Sequence, residues 1–336
     1  MIKIKNSIKT KRSTRKLVLL FIIFELIFTI STGPYMVYYG PFKNVKTTVV
    51  GAAMTTSTLQ WMATSFLSDK KIKQIIKDQL AETIVQNNVD DENFGVKVEN
   101  LNDNSIQRYD IKGRKFKGHI LVISDPTRIK VGYSNNLGNE GQLTREIAKA
   151  NNAIAAVNGG GFTDEAAGPH WSGKGANPIG VIMSNGKTVY NNIINEDKEG
   201  EVVALTKSGK LLVGNHSIKE MKKDLVTQAV TFGPALIVNG VKTINKGDGG
   251  WGIAPRTSIA QRKDGAIILL VIDGRQIGSI GATLREVQDI LYEYGAYNAS
   301  NLDGGSSSAL YYNDEIINNP SDSLGERAIC SIIYVE

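Results

Sequence analysis

Between Leu17 and Ile30 the chain is almost unbroken apolar sequence, and a softer stretch carries on to Tyr39 through Pro34-Tyr35-Met36-Val37-Tyr38-Tyr39. A bilayer core takes roughly 20 apolar residues to cross. Residues 17–39 are therefore expected to form a transmembrane helix, with Tyr35, Tyr38 and Tyr39 at the interface. Glu25 interrupts the run at a cost on the order of 2–3 kcal/mol near mid-bilayer, which the surrounding apolar residues outweigh. Residues 47–68 carry no charge and mix Val49, Val50, Met54, Leu59, Trp61 and Phe66 with threonines. They read as an amphipathic helix lying near the membrane or on the domain; a second span, which would return the rest to the cytoplasm, is the alternative. Ile72, Ile75, Ile76, Leu80 and Ile84 recur at helical spacing, so 69–86 is expected to be a helix. The polar run 87–93 reads as a linker. The expected organisation is a basic tail at 1–16, an anchor at 17–39, a helical stalk and linker at 40–94, and a globular domain at 95–336.

Beyond Gly95 the pattern changes to short apolar runs separated by turn residues. His119–Asp125 and Asn152–Val157 read as buried strands, with a short helix expected over 142–151 between them. Asn185-Gly186 and Asn239-Gly240 each follow an apolar run, and Asn-Gly is a strong hairpin signal because both positions accept positive φ. Lys263-Asp264-Gly265 turns between 257–261 and 266–272. The clearest helix is Leu284–Tyr294, with Thr283 and Glu286 forming a capping box and Gly295 as its stop. Strands grouped with a few helices predict an α+β fold. It is expected as a mixed, mostly antiparallel twisted sheet with flanking helices, preceded by the transmembrane helix and stalk.

Charge changes the picture at the N-terminus only. The net charge is +6, but Lys3, Lys5, Lys9, Lys11, Arg12, Arg15 and Lys16 precede the first acid and leave the remainder at −1. The basicity is that of a tail and gives no reason to expect nucleic-acid binding. Positive charge abutting an apolar run places the tail in the cytoplasm and everything after residue 40 outside, as a single-pass membrane protein. A cleaved signal peptide is the competing reading, although no A-x-A site closely follows Ile30. Cys330 is the single cysteine, so an intramolecular disulfide and a Cys-based zinc site are excluded; in its apolar setting it reads as a core residue.

Four glycine- and arginine-containing segments carry candidate chemistry: Asn158-Gly159-Gly160-Gly161-Phe162, Pro255-Arg256-Thr257, Asp273-Gly274-Arg275, and Asn301-Leu302-Asp303-Gly304-Gly305-Ser306-Ser307-Ser308. Each falls at a predicted strand end, where sites are commonly built. Successive N–H groups in glycine loops can form an anion nest. Arg256 and Arg275 can grip phosphate oxygens bidentately, and Asp273 and Asp303 can act as general acid and base. Asn158, Asn301 and the serines can bind sugar hydroxyls. Anion donors beside paired carboxylates suit a glycosyl phosphate. Each segment alone also has a plain structural reading, since Asp-Gly is usually a turn. There is no G-x-S-x-G elbow, and His119, His170 and His216 show no metal spacing. His119 reads as structural, His170 as part of a loop able to cover a sugar, and Trp251 as either a sugar platform or a loop-packing residue.

Taken in order, these segments resemble the phosphodiester glycosidase family, which includes bacterial proteins related to exopolysaccharide biosynthesis and the catalytic domain of the lysosomal-targeting uncovering enzyme. The resemblance runs from about Gly95 to Glu336. It also takes in Pro178–Lys187, Phe232–Gly240 and Gly281 through the following helix. It implies hydrolysis of a sugar-1-phosphodiester, often of an N-acetylhexosamine. By motif it places Asn158, Gly159, Gly160, Arg256, Thr257, Asp273, Arg275, Asn301, Asp303, Gly304, Gly305, Ser306 and Ser307 at the site, with Asp303, Asp273 and Asn158 as the catalytic candidates. The expected substrate is a cell-envelope glycosyl-phosphate polymer, such as a teichoic acid or exopolysaccharide, or a small sugar phosphodiester. No cofactor is implied and no spacing demands a metal, though acidic side chains leave a divalent cation open. Two other functions use the same pocket: non-catalytic binding of anionic glycans, and transfer of a sugar or glycosyl phosphate to an acceptor.

Overall fold

The computed structural model describes residues 2–55, 59–91, 94–163, 175–322 and 324–336. The chain divides into two compact units, Met1–Ile76 and Lys77–Glu336.

In the first unit a helix runs over Ile2–Tyr39. Its segment Thr14–Tyr39 is apolar and long enough to cross a membrane, and its most apolar 18-residue window has no residue buried in protein; at 1.5 Å per residue its 26 residues span about 39 Å. The uncharged stretch that follows is not one helix. It forms Lys43–Met54 and a single turn at Trp61–Thr64. Val50, Ala53, Ala63, Leu67 and Ile72 make a small core with Tyr38. The expected helix from Asp69 stops at Lys77. Its apolar period holds as far as Ile76, which packs in this core, whereas Leu80 is exposed.

The second unit is α+β, as expected; every strand pairing among the described residues is antiparallel, and the strands sort into three main sheets rather than one mixed, mostly antiparallel sheet. The largest has seven strands in the order Ile106–Lys112, Lys117–Ile123, Ile267–Ile272, Arg256–Arg262, Ala296–Asn301, Ala235–Val238 and Val241–Lys242. A five-stranded sheet runs Leu211–His216, Gly200–Thr206, Val226–Thr231, Val181–Ser184 and Lys187–Asn191. The other five-stranded sheet runs Glu315–Ile316, Leu310–Tyr312, Ala155–Asn158, Ser331–Val335 and Ile129–Tyr133. All three turn one face toward a common core, where Leu269 and Val271 of the first meet Val203 and Leu205 of the second and Val157 and Ile333 of the third.

Each sheet needs its second face covered as well, and each receives one helix. Leu284–Glu293 covers the large sheet through Leu284, Val287 and Leu291. Ile218–Lys223 covers the second sheet through Ile218 and Met221, and Thr144–Ala150 covers the third through Ile147 and Ala148. This explains the unalternating apolar run of Ile267–Ile272, which is buried at all of its residues. Local signals hold at the connections. Thr283 Oγ1 accepts the Glu286 N–H at 3.2 Å while Glu286 accepts the Thr283 N–H at 2.8 Å. Asn185-Gly186 turns its hairpin with φ of 50° and 74°.

Residues 77–91 and Phe94, which fall in the expected stalk and linker, belong to the second unit. Glu82 N–H donates to Thr243 O at 2.8 Å, and Asn239 Nδ2 donates to Val85 O at 3.1 Å. Val89, Phe94 and Val96 enter the core behind the second sheet. The buried Gln86 side chain donates to Leu211 O at 3.0 Å and accepts from Val213 N–H at 2.8 Å, satisfying an edge strand as another strand would. Gln86→Ala leaves both main-chain groups unpaired and is expected to destabilise the second unit by about 2 kcal/mol, read as a lower midpoint for that unit in urea titration of the detergent-solubilised chain. An unchanged midpoint would show that the segment is a passive tether.

Candidate active site

The site grows from the end of strand Ala155–Asn158. Asn158 has no exposed surface, so its amide must be satisfied inside the protein. Nδ2 donates to Asp303 O at 2.5 Å, and Oδ1 accepts from Thr257 Oγ1 at 2.8 Å and from Ala309 N–H at 3.2 Å. Main-chain bonds reinforce the joint, from Asp303 N–H to Gly159 O at 3.1 Å and from Leu302 N–H to Thr257 O at 2.9 Å. Asp303 is thus held at its N–H and its C=O, on a half-buried turn, by the segment around Asn158. The geometry makes Asn158 a positioning residue with no surface to offer a substrate.

The glycines after Asn158 do not form the expected anion nest. Their N–H groups already have partners: Gly159 donates to Ser331 O at 2.9 Å, Gly160 to Ser331 Oγ at 3.0 Å, and Gly161 to Thr231 O at 3.1 Å. What the sequence requires there is close approach, since a Cβ on Gly159 would stand 2.9 Å from Ser331 Oγ. The turn after Asp303 differs. Gly305 N–H donates to Pro255 O at 3.0 Å, while the N–H groups of Gly304 and Ser306 have no hydrogen-bond partner among the described residues. Ser306 Oγ accepts from Arg327 Nη1 at 3.2 Å, and the buried Ser307 Oγ is unpaired among the described residues.

The arginines divide. Register pairs Arg256 with Ile272, on the helix-covered face of the large sheet, and Thr257 with Val271, on the common-core face. Arg256 is buried and committed to main-chain carbonyls: Nε donates to Ala282 O at 3.0 Å, and Nη2 to Trp251 O at 3.1 Å and Gly252 O at 2.6 Å. Burial pulls its pKa down to about 10, Arg275 adds to that lowering, and Asp248 and Glu286 oppose it. The expected two-pronged grip on phosphate through Nε and Nη2 is therefore closed to it. Its Nη1 alone has no hydrogen-bond partner among the described residues. Arg275 is the freer cation. It sits at φ 58° in the turn after Asp273, and a Cβ on Gly305 would come within 3.2 Å of its Nη2. Among the described residues its side chain makes no hydrogen bond or ion pair. Although Arg275 is exposed as a residue, its guanidinium end lies against that turn. Desolvation there, followed by the charge of Arg327, lowers its pKa.

Asp273 is buried and its Oδ1 accepts from Asn318 Nδ2 at 3.1 Å and Asn319 N–H at 2.9 Å. It anchors the turn beneath the serine run, because the same Asn318 Nδ2 donates to Ser308 O at 3.2 Å. Asn301 is buried with Nδ2 on Gly233 O at 3.1 Å, and its Oδ1 has no partner among the described residues. It shares the helix-covered face with Ser258, whose Oγ is likewise unpaired there. Phe232 and Trp251 meet edge to face at 5.9 Å, near Gly161 and Arg256 respectively.

Glu326 and Arg327 at this edge escaped the sequence reading. Arg327 lies over the Phe162 ring at 5.0 Å and on Ser306; the one local signal was a Glu-Arg pair just before the last apolar strand. Of the other candidates, His119 pairs with Asp110 at 2.7 Å across neighbouring strands, His170 lies outside the described residues, and burial pushes the Cys330 thiol up to about 12. Among the described residues no three His, Cys, Asp or Glu side chains gather as a metal site would need.

Three antiparallel sheets around one core, with arginines and a carboxylate-bearing glycine turn collected at their strand ends, define an α+β protein with a polar site suited to an anionic ligand. The chain belongs to the phosphodiester glycosidase family, whose model matches residues 151–336. It is similar in fold to the catalytic domain of zebrafish N-acetylglucosamine-1-phosphodiester alpha-N-acetylglucosaminidase, a structure auto-inhibited by its pro-peptide. That likeness has a TM-score of 0.60 and 22% identity, and covers 76% of this chain and 96% of that one. A protein of Burkholderia pseudomallei K96243 is also similar in fold, with a TM-score of 0.52 and 17% identity over 66% of this chain and 74% of that one. A curated relative, the uncharacterized SPbeta prophage-derived protein YomE of Bacillus subtilis strain 168, is 37% identical over 81 residues, which is 24% of this chain and spans only 12% of the relative's length.

Asn158→Ala would leave the Thr257 hydroxyl, the Ala309 N–H and the Asp303 carbonyl without their partner. It is expected to lower stability by about 3 kcal/mol, measured by urea unfolding, and a loss below about 1 kcal/mol would show that the amide is not the joint described.

Proposed function

We propose that the chain is a membrane-anchored hydrolase of a sugar-1-phosphodiester, cleaving the bond between C1 and the phosphate oxygen, with Asp303 as its base. The observation that carries this reading is the half-buried Asp303–Ser306 turn, which bears a carboxylate residue and is approached by Arg275 at Gly305 and by Arg327 at Ser306. The chemistry needs little more. A phosphomonoester leaves readily because its second pKa is about 6, so it requires charge stabilisation rather than a proton from a second carboxyl. Asp303 takes a proton from water as the water oxygen bonds to C1. The C1–O bond breaks, and its electron pair leaves on the phosphate, whose growing negative charge Arg275 and Arg327 stabilise. Asp273, with two donors on one carboxylate oxygen, holds the turn and need not act as the acid. Phe232 and Trp251 offer an apolar platform for a sugar ring.

The apolar helix with its preceding lysines and arginines supports an anchor whose N-terminus is cytoplasmic and whose second unit is outside. An external location favours an envelope polymer linked through N-acetylhexosamine-1-phosphate as substrate.

The test is incubation of the detergent-solubilised chain with a panel of sugar-1-phosphodiesters in ¹⁸O-water, followed by mass spectrometry. Release of sugar carrying the label is expected. Asp303→Asn should lower kcat by about 10²-fold or more, and Arg275→Ala should raise KM by about 10-fold. Label in the phosphate would overturn C1–O cleavage. Binding without release, or a new linkage formed on added acceptor polymer, would replace the hydrolase reading with the binding or transferase one.

A further inference from the structure

Arg327 approaches the site from a loop with no regular structure, and a long cation on a loop is useful to an anion only if the loop is fixed. The residue before it supplies the fixing point. Glu326 has a side chain only 1% exposed, in an ion pair with the half-exposed Arg145 through Arg145 Nε and Glu326 Oε2. Its other oxygen, Oε1, accepts the Arg145 main-chain N–H at 3.1 Å. On the far side of Arg327, Ile329 exchanges both main-chain bonds with Gln142, at 3.0 and 2.9 Å. The segment 142–145 therefore grips the chain on either side of Arg327, by a main-chain bridge after it and by a buried carboxylate before it. Between these grips Arg327 reaches Ser306 Oγ and lies over Phe162. No described contact takes Glu326 itself to the site.

We propose that Glu326, held by Arg145, is a positioning residue that sets the Arg327 guanidinium against the Asp303–Ser306 turn for binding the substrate phosphate. This rests on the reading of Arg327 as a phosphate contact. A carboxylate is suited to the task because it accepts a charged and a neutral N–H at once, one on each oxygen; an amide can accept on one oxygen only and turns a donor toward the other partner. Burial makes the pairing hard to replace with water.

The test is a double-mutant cycle on the full chain, reading KM, kcat and the affinity for inorganic phosphate by calorimetry. Glu326→Gln is expected to raise KM and to weaken phosphate binding in parallel, each by about 10-fold, with kcat moved by less than about threefold. In an Arg327→Ala background the same substitution should change neither quantity, because its route of action is gone. Arg145→Ala, made on the exposed side of the pair, should reproduce the single-mutant effect where Glu326→Gln folds poorly, and Arg145→Lys should restore part of it. An equal loss in the presence and absence of Arg327 would overturn the inference in favour of general loosening, as would wild-type KM and phosphate affinity in Glu326→Gln. Unchanged phosphate binding in Arg327→Ala would remove Arg327 from the phosphate site and the inference with it. Phosphate affinity reports on Glu326 whether or not any phosphodiester is cleaved, so failure of the hydrolase reading shows separately as a wild-type chain that binds phosphate and releases no sugar.

Discussion

A primary amide with no exposed surface stands at the end of strand Ala155–Asn158, and the site depends on how it is satisfied. Asn158 can donate and accept at once, and it uses both capacities on other segments of the chain: the Asp303 carbonyl, the Thr257 hydroxyl and the Ala309 N–H. An apolar residue at this point would leave all three unpaired, and a charged one would be buried without a counter-ion. The amide therefore joins the strand of one sheet, the strand of another and the glycine turn that carries Asp303. The position of the carboxylate is a consequence of this joint, since the turn has no helix or long strand of its own to hold it.

The joint in turn depends on three sheets sharing one core. Each contributes one face to it, and each has its outer face covered by a helix opened by a polar residue or loop and a glutamate in the first turn. This arrangement buries the central strands on both sides and brings strand ends from different sheets together at one edge. The segment 77–91 completes the same scheme from outside, with the side-chain amide of Gln86 satisfying main-chain groups on either side of Leu212.

Electrostatics at this edge follow from which cations are already engaged. Arg256 has three of its N–H groups on carbonyl oxygens, so it braces the loop at Trp251 and Gly252 more than it offers charge outward. The pKa of Arg275 is lowered by desolvation against the Asp303–Ser306 turn and, after that, by the charge of Arg327. A nearby anion would offset both contributions, which is the electrostatic basis of the phosphate contact proposed for this edge.

Much of this was legible in the residues. The apolar run 17–39, the Asn-Gly hairpins, the Thr283–Glu286 capping box and the gathering of glycine segments at strand ends are all local: each depends on neighbours within a few positions and on dihedral or solvation preferences that a residue carries with it. So was the α+β class. What local preference does not encode is which distant group a polar atom meets. The three glycine N–H groups after Asn158 were free in the sequence and paired in the fold; Arg256 looked like a phosphate grip and proved to be a brace; Glu326 and Arg327 drew no notice because their partners, Arg145, Ser306 and Phe162, are far away along the chain. The sequence by itself determined the elements, their turns and the residue types available for chemistry. The tertiary structure alone decided which of those residues keep a free hydrogen-bonding face, because that depends on the partners supplied when separate sheets close on one core.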